Sequence, residues 1–373
     1  MLSKLIKKFW IGSVKNIKKI LLVGYFSKDP NIYTYATSFY NSFVKLGYDV
    51  KLFNYREKYF KNSKINNYLV NNYLHKKVKI FKPDLVFFIK SEDISSRTIK
   101  GIKANSKAYI VNFYPDNPFV FWNGNSNSNI LSSLPYYDCF LTWSKELVSL
   151  LYMAGCKSVS YFPFAYDQDL FLQNINIIQK DISKYKSDVC FIGTWDRERE
   201  FWLTELCKEK PDLDLAIWGN MWQENLPESS VLRQRLKGKA IYNIEMIKAF
   251  RSSKIVLNFI RKQNHNAHNM RTLEVPAGKG FLLTQRTSEQ ASFLFKEGES
   301  IECFATVDEL IKKITFYLEH DNLRDSIVEK GFLQVQRFNL DLVLEDFMHK
   351  FIRGVECDKP KTQNSTNYFK ELI

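Results

Sequence analysis

Short apolar runs alternate with amphipathic segments along the chain and predict alternating strands and helices. The first apolar run is the strand candidate KILLVGYF at 19–26. A helix is expected next, with Asp29 as its cap and Pro30 as its first residue, and Gly47 ends it before a second strand at 48–53. This order of strand, helix and strand is typical of a parallel βαβ unit.

The same alternation continues along the chain in two series. Four more buried-strand candidates complete the first series, at 84–89, 108–114, 137–143 and 158–164. The second series has five strand candidates, at 187–195, 213–220, 254–259, 280–284 and 300–304. Helical or loop segments separate the strands, which favours a parallel, doubly wound sheet in each series.

The chain has 373 residues, enough for two domains, and the two series predict an α/β protein with two Rossmann-like, doubly wound domains in tandem. Such a layout is expected to bind its ligand in a cleft between the domains, at the carboxyl ends of the strands. The predicted parts are a basic amphipathic helix at 1–18, a first domain at 19–165, a linker at 166–185, a second domain at 186–338, a terminal helix at 339–353 and a polar tail at 354–373.

An excess of 54 Lys and Arg over 40 Asp and Glu gives the chain a formal charge of +14. This charge favours anionic partners, namely nucleotides, nucleic acid or acidic lipid headgroups, unless base composition alone enriched the lysines. No zinc-finger spacing, RNP motif or clear helix-turn-helix is visible, so we expect no nucleic-acid partner. The six cysteines show no CxxC or paired spacing, which indicates a reducing compartment and no zinc site.

Residues 1–18 combine apolar positions at helical spacing with several lysines. Such a helix can lie on an anionic membrane surface, with Phe9 and Trp10 at headgroup depth, or it can pack on the first domain. The start of the chain lacks the features of a secretory signal, and no run approaches the ~18 apolar residues of a membrane span. We therefore predict a cytoplasmic protein, peripheral at the cytoplasmic membrane face if residues 1–18 bind lipid.

The polar stretch 261–280, which follows a predicted buried strand, carries the most informative chemistry. Asn269 is expected to cap a short helix whose first backbone N–H groups would bind a phosphate or diphosphate. Arg271 adds a cation, and Glu274, one turn further on, is placed to accept hydrogen bonds from ribose hydroxyls. An ordinary surface ion pair between Arg271 and Glu274 is the alternative.

Several segments in order resemble one known family. Residues 269–280, with RTLEVPAG at 271–278, resemble the Arg-x-Phe-Glu-Ile-Pro-Ala-x-Gly motif of the glycosyl transferases group 1 related to spore-maturation protein CgeB. The segment NFYPDNPF at 112–119 is similar to the Asp-Asn-Pro loop of that family. Further matching positions are Tyr137-Asp138, 142–144, Gly155, Phe162-Pro163, 191–194, 308–310, 317–318, Arg324 and Gly331.

The resemblance implies a GT-B fold, in which two Rossmann-like domains face an interdomain cleft and the second domain holds a nucleotide-sugar donor. It also implies that the terminal helix crosses back to the first domain, the acceptor domain. On the matching positions, Arg271 would bind the donor diphosphate and Glu274 the ribose. Asn266 stands where the wider GT-B pattern of Glu-x7-Glu has a carboxylate, so a retaining mechanism does not follow.

Other polar residues near strand ends are candidates for donor binding. Arg197 and Arg199 follow the turn after a strand and could reach the phosphates, although the same charges suit a solvated helix face. Trp218 could stack on a nucleotide base or fill the core. Beyond Arg271 and Glu274, the donor-site candidates are Asn269, Thr272, Gly193, Thr194, Arg197, Trp218, Asn220 and His268.

An acceptor hydroxyl needs a general base if the reaction inverts the anomeric centre. Asp116 is the first candidate because it follows a strand in a Pro-rich turn, where turn formation is its alternative role. His265 and His268 are the other candidates. These histidines lack the surrounding ligands of a zinc site, and Asp-x-Asp strings at 167–169 and 212–214 are expected by chance, so we predict no metal and no other cofactor.

These observations predict a metal-independent glycosyltransferase that moves a sugar from a nucleotide-sugar donor to a cell-surface glycan, a glycolipid or lipid-linked acceptor, or a protein acceptor. The alternative is a non-catalytic GT-B-like protein that binds sugar nucleotides or has a structural role. An NAD-dependent oxidoreductase is disfavoured because the first strand leads into GYFSKD at 24–29 and not into Gly-x-Gly-x-x-Gly.

Overall fold

The computed structural model describes residues 15–29, 32–121 and 125–354. Most of the predicted N-terminal helix and the predicted tail beyond 354 lie outside the described residues. The described chain forms two compact units, each built on one parallel six-stranded sheet. The predicted α/β class with two Rossmann-like sheets is therefore confirmed.

The first unit contains the strands β1 (Lys19–Gly24), β2 (Asp49–Asn54), β3 (Leu85–Ile89), β4 (Tyr109–Tyr114), β5 (Cys139–Thr142) and β6 (Val159–Tyr161). They pair in parallel in the order β2-β1-β3-β4-β5-β6. The order reverses at β1, because β2 lies on one side of it and all later strands lie on the other. The central strands are fully buried, as expected where helices cover both faces of a parallel sheet.

Five helices connect these strands: α1 (Tyr35–Lys45), α2 (Ser63–Phe81), α3 (Ser96–Asn105), α4 (Ser128–Ser133) and α5 (Lys145–Met153). Helix α1 begins later than predicted, at Tyr35 and not at Pro30, which lies outside the described residues. Thr34 takes the cap position, and its hydroxyl oxygen accepts a hydrogen bond from the Thr37 N–H at 3.2 Å. Gly47, at φ +85°, follows the end of α1 as predicted.

The second unit is built mainly from 164–339. Its strands are β7 (Ser187–Ile192), β8 (Leu215–Trp218), β9 (Leu236–Gly238), β10 (Ser253–Asn258), β11 (Leu282–Gln285) and β12 (Glu302–Phe304). They pair in parallel in the order β9-β8-β7-β10-β11-β12, the strand order of a dinucleotide-binding Rossmann sheet. The edge strand β9 was not predicted, because three half-exposed residues carry no apolar pattern.

The helices of the second unit are α6 (Gln168–Phe171), α7 (Gln179–Tyr185), α8 (Arg197–Glu209), α9 (Trp222–Asn225), α10 (Asn243–Ser252), α11 (Arg271–Ala277), α12 (Val307–Glu319) and α13 (Asp321–Val335). A π-helical turn spans Glu289–Leu294. The described residues contain no helix with both the length and the apolar character needed to span a bilayer.

The predicted linker at 166–185 contains α6 and α7 and belongs to the second unit. The Tyr185 hydroxyl donates to Glu245 Oε1 of α10 at 2.6 Å, and Lys248 Nζ of α10 lies 2.8 Å from Asp181 Oδ2. This segment is therefore an ordered part of the unit and not a linker. Its buried side chains, Tyr166, Phe171 and Tyr185, are too few and too widely spaced to give the segment an apolar periodicity in the sequence.

The C-terminal helix α14 (Leu340–Arg353) belongs to the first unit and packs beside α1. Lys45 Nζ of α1 lies 3.1 Å from Asp341 Oδ2, which fixes the start of α14. The buried Phe347 ring lies 6.4 Å from the Phe87 ring and 6.0 Å from the Phe162 ring, between centroids. Helix α14 therefore contributes to the hydrophobic core of the first unit, although it lies far along the chain from β1.

Because Phe347 fills the space between the first sheet and α14, Phe347→Ala should lower the stability of the first unit by about 3–5 kcal/mol. Urea unfolding followed by tryptophan fluorescence measures this loss. Phe60→Ala is the matched control, since the Phe60 side chain is 52% exposed, and it should change stability by about 0.5 kcal/mol at most. Equal effects of the two substitutions would contradict this role of α14.

Candidate functional site

The strand order of the second unit changes direction between β7 and β10, which pair in parallel with Val256 opposite Cys190. The chain runs outward from β7 through β8 and β9 and then returns to the other side of β7. Loops that leave β7 and β10 therefore separate at their carboxyl ends, which opens a crevice in sheets of this kind. Ligands of open α/β sheets bind at such a point.

Close backbone packing shapes the loop after β7. The Gly193 carbonyl accepts a hydrogen bond from the Trp222 indole N–H at 2.8 Å, and the Gly193 N–H donates to the Trp218 carbonyl at 2.9 Å. A Cβ on Gly219 would lie 1.9 Å from the Gly193 oxygen. The two loops after β7 and β8 can lie this close only because residue 219 has no side chain.

Three arginines meet at the carboxyl ends of β7 and β10. Asp196 Oδ2 lies 3.3 Å from Arg199 Nε and 3.1 Å from Arg261 Nε. Arg199 also donates from a terminal nitrogen to the Thr194 carbonyl at 2.7 Å, and Arg271 Nε donates to the Ile192 carbonyl at 3.3 Å. We call Arg199, Arg261 and Arg271 the arginine cluster.

The cluster concentrates positive charge in a partly buried place. Burial lowers the pKa of Arg199 to about 10, Asp196 opposes this shift, and Arg261 and Arg271 add to it. Arg199 therefore still carries its charge at neutral pH. Arg197, which was predicted together with Arg199 to reach the phosphates, is exposed at the first position of α8 and lies outside the cluster, and its contact with a phosphate stays a prediction.

Helix α11 presents Arg271 and Glu274 as an ion pair one turn apart. Glu274 is buried, whereas about a quarter of the Arg271 side chain is exposed. The predicted i,i+3 relation is thus present, and it joins the pair to the cluster through the Ile192 contact. Arg271 and Glu274 thus form the ion pair that the alternative interpretation expected. The pair lies at the carboxyl end of β7 and not on an ordinary exposed helix face.

A buried network of side-chain hydrogen bonds joins the start of α11 to β10 and β11. The Asn258 and Asn269 side chains exchange two hydrogen bonds, of 3.1 and 2.9 Å, and Asn258 Nδ2 also donates to Thr284 Oγ1 at 3.0 Å. The fully buried Thr272 hydroxyl donates to Gln290 Oε1 at 2.6 Å. Thr272 therefore holds α11 in place and does not present its hydroxyl to a ligand.

The start of α11 differs from the prediction. Met270 is the N-cap residue and Asn269 precedes it, although the Asn269 side chain still accepts from the Thr272 N–H at 3.3 Å. The N–H groups of Leu273 and Glu274 donate to the Met270 carbonyl. Most of the amides expected to bind phosphate are thus engaged within the turn, which leaves cation contact as the main means of holding an anion.

The two candidate histidines occupy different environments. His268 is fully buried, its Nε2 accepts from the Phe164 N–H at 3.2 Å, and its Nδ1 lies 3.1 Å from Glu289 Oε1. The ring is thus enclosed by the second unit, with Nε2 engaged by the backbone, and its contact with a phosphate stays a prediction. His265 is half-buried at φ +47°, a strained value for a residue with a side chain.

Trp218 and Asn220 lie at and after the end of β8. Trp218 is buried against Tyr185, with 5.7 Å between ring centroids, and its indole N–H makes no hydrogen bond to a described residue. Asn220 Oδ1 accepts from the Ala240 N–H at 3.2 Å, and the Asn220 carbonyl accepts from the Trp195 N–H at 2.9 Å. Asn220 thus fastens two loops together, and the contact of Trp218 with a base stays a prediction.

In the first unit, Asp116 follows β4 at the carboxyl edge of the sheet. Lys90 Nζ, just beyond β3, lies 2.6 Å from Asp116 Oδ2. Lys90 adopts φ +61°, a left-handed value that is uncommon for a residue with a side chain. A groove of about 790 Å³ lies at the same edge, beyond β2, and residues of the loop after β2, the start of α2 and Asp93 line it.

Residues 197–347 match the model of one protein family, described as glycosyl transferase-like. The matched segment contains α8, β10 and α11, and with them all three arginines of the cluster. No curated protein sequence matches the chain.

The chain is similar to several solved structures. Sucrose-phosphate synthase from Thermosynechococcus elongatus has a TM-score of 0.67 at 12% identity, over 90% of this chain and 98% of that chain. A glycosyltransferase from Rickettsia africae has a TM-score of 0.63 at 13% identity, and the likeness covers 90% of this chain and 99% of that chain. HepE from Anabaena, in complex with UDP and glucose, has a TM-score of 0.59 at 12% identity, and the likeness covers 90% of this chain and 99% of that chain.

These likenesses confirm the predicted GT-B fold, because low identity with a high TM-score reports shared architecture. The family match confirms the predicted resemblance to group 1 glycosyl transferases. The expectation of a glycosyltransferase is thus confirmed at the level of family. Within the described residues, no group of three or more His, Cys, Asp or Glu side chains could hold a metal ion.

Three residues of the candidate site were not predicted individually from the sequence: Asp196, Asn258 and Arg261. Each lies within four residues of the end of β7 or β10. A rule that lists every polar residue directly after adjacent strands would have found them. That rule requires the strand order, which the apolar pattern does not provide.

Because the Gly193 oxygen would lie 1.9 Å from a new Cβ, Gly219→Ala should lower the stability of the second unit by about 1–3 kcal/mol. Urea unfolding of both proteins measures the change. Gly101→Ala is the matched control, since its Cβ would meet only the His75 ring at 2.7 Å, which can rotate, and alanine favours the helix α3. An unchanged stability of Gly219→Ala would show that the loops can separate.

Proposed function

We propose that the protein is a glycosyltransferase that binds a nucleotide-sugar donor at the arginine cluster. The observation that carries this proposal is the convergence of Arg199, Arg261 and Arg271 at the carboxyl ends of β7 and β10. The glycosyl transferase-like match contains all three residues. HepE, which shares the fold, was solved with UDP and glucose.

Glycosyl transfer breaks the bond between the sugar and a diphosphate oxygen, so negative charge develops on the leaving nucleoside diphosphate. Groups placed in advance at that oxygen lower the barrier, because they need no reorganisation during the reaction. Guanidinium groups suit phosphate oxygens, since they offer several N–H donors in a fixed plane. The arginine cluster therefore supplies the charge that a metal ion supplies in other enzymes, and we propose metal-independent transfer with no further cofactor.

Glu274 is proposed to bind a ribose hydroxyl of the donor. Its carboxylate already accepts from Arg271, yet a carboxylate can accept about four hydrogen bonds in all. Pairing with Arg271 therefore fixes the orientation of Glu274 without using its full capacity. The same pair keeps the Arg271 side chain beside Ile192, near the proposed diphosphate position.

Asp116 is proposed as the general base for an acceptor hydroxyl. It lies at the carboxyl edge of the first sheet, and Lys90 fixes its carboxylate in position. The acceptor is proposed to be a cell-surface glycan, a lipid-linked sugar or a protein, and the compartment the cytoplasm at the inner membrane face. A bacterial cell-surface role is part of this proposal.

A non-catalytic sugar-nucleotide-binding protein is the second candidate. The arginine cluster would serve binding alone equally well, because a diphosphate needs the same cations in either case. The two functions differ in turnover, because only a glycosyltransferase transfers the sugar and releases the nucleotide. A turnover assay therefore separates them, whereas a binding assay does not.

Calorimetry with UDP, GDP, CDP and dTDP should reveal one nucleoside diphosphate that the protein prefers. Arg199→Gln and Arg271→Gln should each weaken its binding by about ten- to a hundred-fold, since each removes a charge-assisted contact with phosphate. Arg197→Gln is the matched control on the same helix as Arg199. It should leave the affinity within about two-fold, as expected of an exposed charge.

The proposal for the cluster would be wrong if Arg197→Gln weakened binding as much as Arg199→Gln. That result would indicate a contribution of overall charge and not of position. Thermal unfolding of each variant shows whether the fold has been retained. Absence of binding to all four nucleotides, with the fold intact, would also contradict the proposed donor site.

Release of the preferred nucleotide from its sugar donors should be slow with water as acceptor. Asp116→Asn should lower kcat for this release by about a hundred-fold or more, because the base is lost, and leave nucleotide affinity unchanged. Asp346→Asn, in an exposed ion pair of α14, is the control and should keep both values. Tight nucleotide binding without any release from a panel of sugar donors would favour the non-catalytic candidate.

A further inference from the structure

One surface of the first unit has a composition that the fold does not require. Between Glu57 and Asp84 the chain has seven lysines, no acidic residue and no arginine. Helix α2 (Ser63–Phe81) occupies most of this stretch. The lysines are Lys58, Lys61, Lys64, Lys76, Lys77, Lys79 and Lys82.

The side of α2 that packs on its unit is apolar and is provided by Val70, Leu74, Val78 and Phe81. The opposite side also carries large apolar side chains. Ile80 is 80% exposed, Tyr68 is 69% exposed and Ile65 is 45% exposed. At 100° per residue, these three lie on one face of the helix with Lys76 and Lys79. We call this surface the outer face of α2.

Among the described residues, no carboxylate forms an ion pair with a lysine of this face. The ion pairs of the described residues include none that involves Lys64, Lys76, Lys77 or Lys79. The exposed Lys76 and Lys79 therefore keep the outer face cationic.

We propose that the outer face of α2 docks on the surface of an anionic lipid membrane. Lysines attract acidic headgroups, and isoleucine and tyrosine side chains between them enter the boundary between headgroups and acyl chains. Exposed apolar side chains within a cationic face have no use against a purely polar partner. This inference deepens the proposed location at the inner membrane face, and it concerns a surface outside the arginine cluster, so nucleotide binding and vesicle binding can fail separately.

A nucleic acid is the other polyanion that such a face could bind. Two observations favour the membrane. The stretch uses lysine alone, whereas recognition of phosphate in nucleic acids relies strongly on the planar, bidentate arginine. Ile80 and Ile65 offer nothing to a phosphate backbone but gain from contact with acyl chains.

The test measures binding of the full chain to phosphatidylcholine vesicles with and without phosphatidylglycerol, by sedimentation. The wild type should bind only the vesicles that contain phosphatidylglycerol. The double variant Lys76→Gln and Lys79→Gln should bind about 25-fold more weakly, since each lysine near an anionic surface contributes about five-fold, or about 1 kcal/mol. A second double variant, Tyr68→Ser and Ile80→Ser, should weaken binding at low and high salt alike.

The control double variant, Lys312→Gln and Lys330→Gln, removes the same charge from exposed positions of α12 and α13. It should bind as the wild type does. Circular dichroism melting checks that every variant retains its fold. All substituted side chains on α2 are exposed, so the fold is expected to remain intact.

Two results would overturn the proposal. The first is equal vesicle binding by the wild type and both α2 variants, which would assign any membrane contact to another part of the chain, such as residues 1–18. The second is loss of binding in the lysine variant but not in the Tyr68 and Ile80 variant, together with an equal loss of binding to duplex DNA. That outcome would identify a nucleic-acid surface.

Discussion

The second unit must hold three guanidinium groups together at one end of a sheet, although like charges at such distances repel each other. Asp196 lies between Arg199 and Arg261, and Glu274 pairs with Arg271. These two carboxylates and several carbonyl oxygens offset most of the repulsion. Three guanidinium groups against two carboxylates leave one net positive charge. The proposed nucleoside diphosphate would bring negative charge to this excess, so the charge balance of the cluster agrees with its proposed use.

The cluster keeps its geometry only because the backbone beneath it cannot shift. Gly219 allows the loops after β7 and β8 to touch, and the reciprocal amide pair of Asn258 and Asn269 joins β10 to the segment before α11. These residues do not carry charge. They set the distances between the residues that do, which is why neutral substitutions at these positions are expected to matter for the site.

The first unit shows a different division of roles. Its last helix, α14, comes from the far end of the chain, and Phe347 joins that helix to the core around Phe87. Packing there is dense and apolar. The inner side of α2 is likewise apolar and buried. On its outer side, Ile80 and Tyr68 are exposed to solvent among lysines. The combination of strongly exposed apolar side chains with lysines on one helix face is the reason for proposing a binding surface there.

The sequence by itself determined the strands that are long and apolar, the parallel α/β class, the end of α1 at Gly47 and the motif that contains Arg271 and Glu274. These features are local, because apolar spacing, turn residues and short motifs act within a few positions. Only the tertiary structure decided that α1 starts at Tyr35, that 166–185 joins the second unit and that Arg261 lies beside Asp196 together with Arg199. Asp196 and Arg261 lie 65 positions apart, and strand order alone brings them within 3.1 Å.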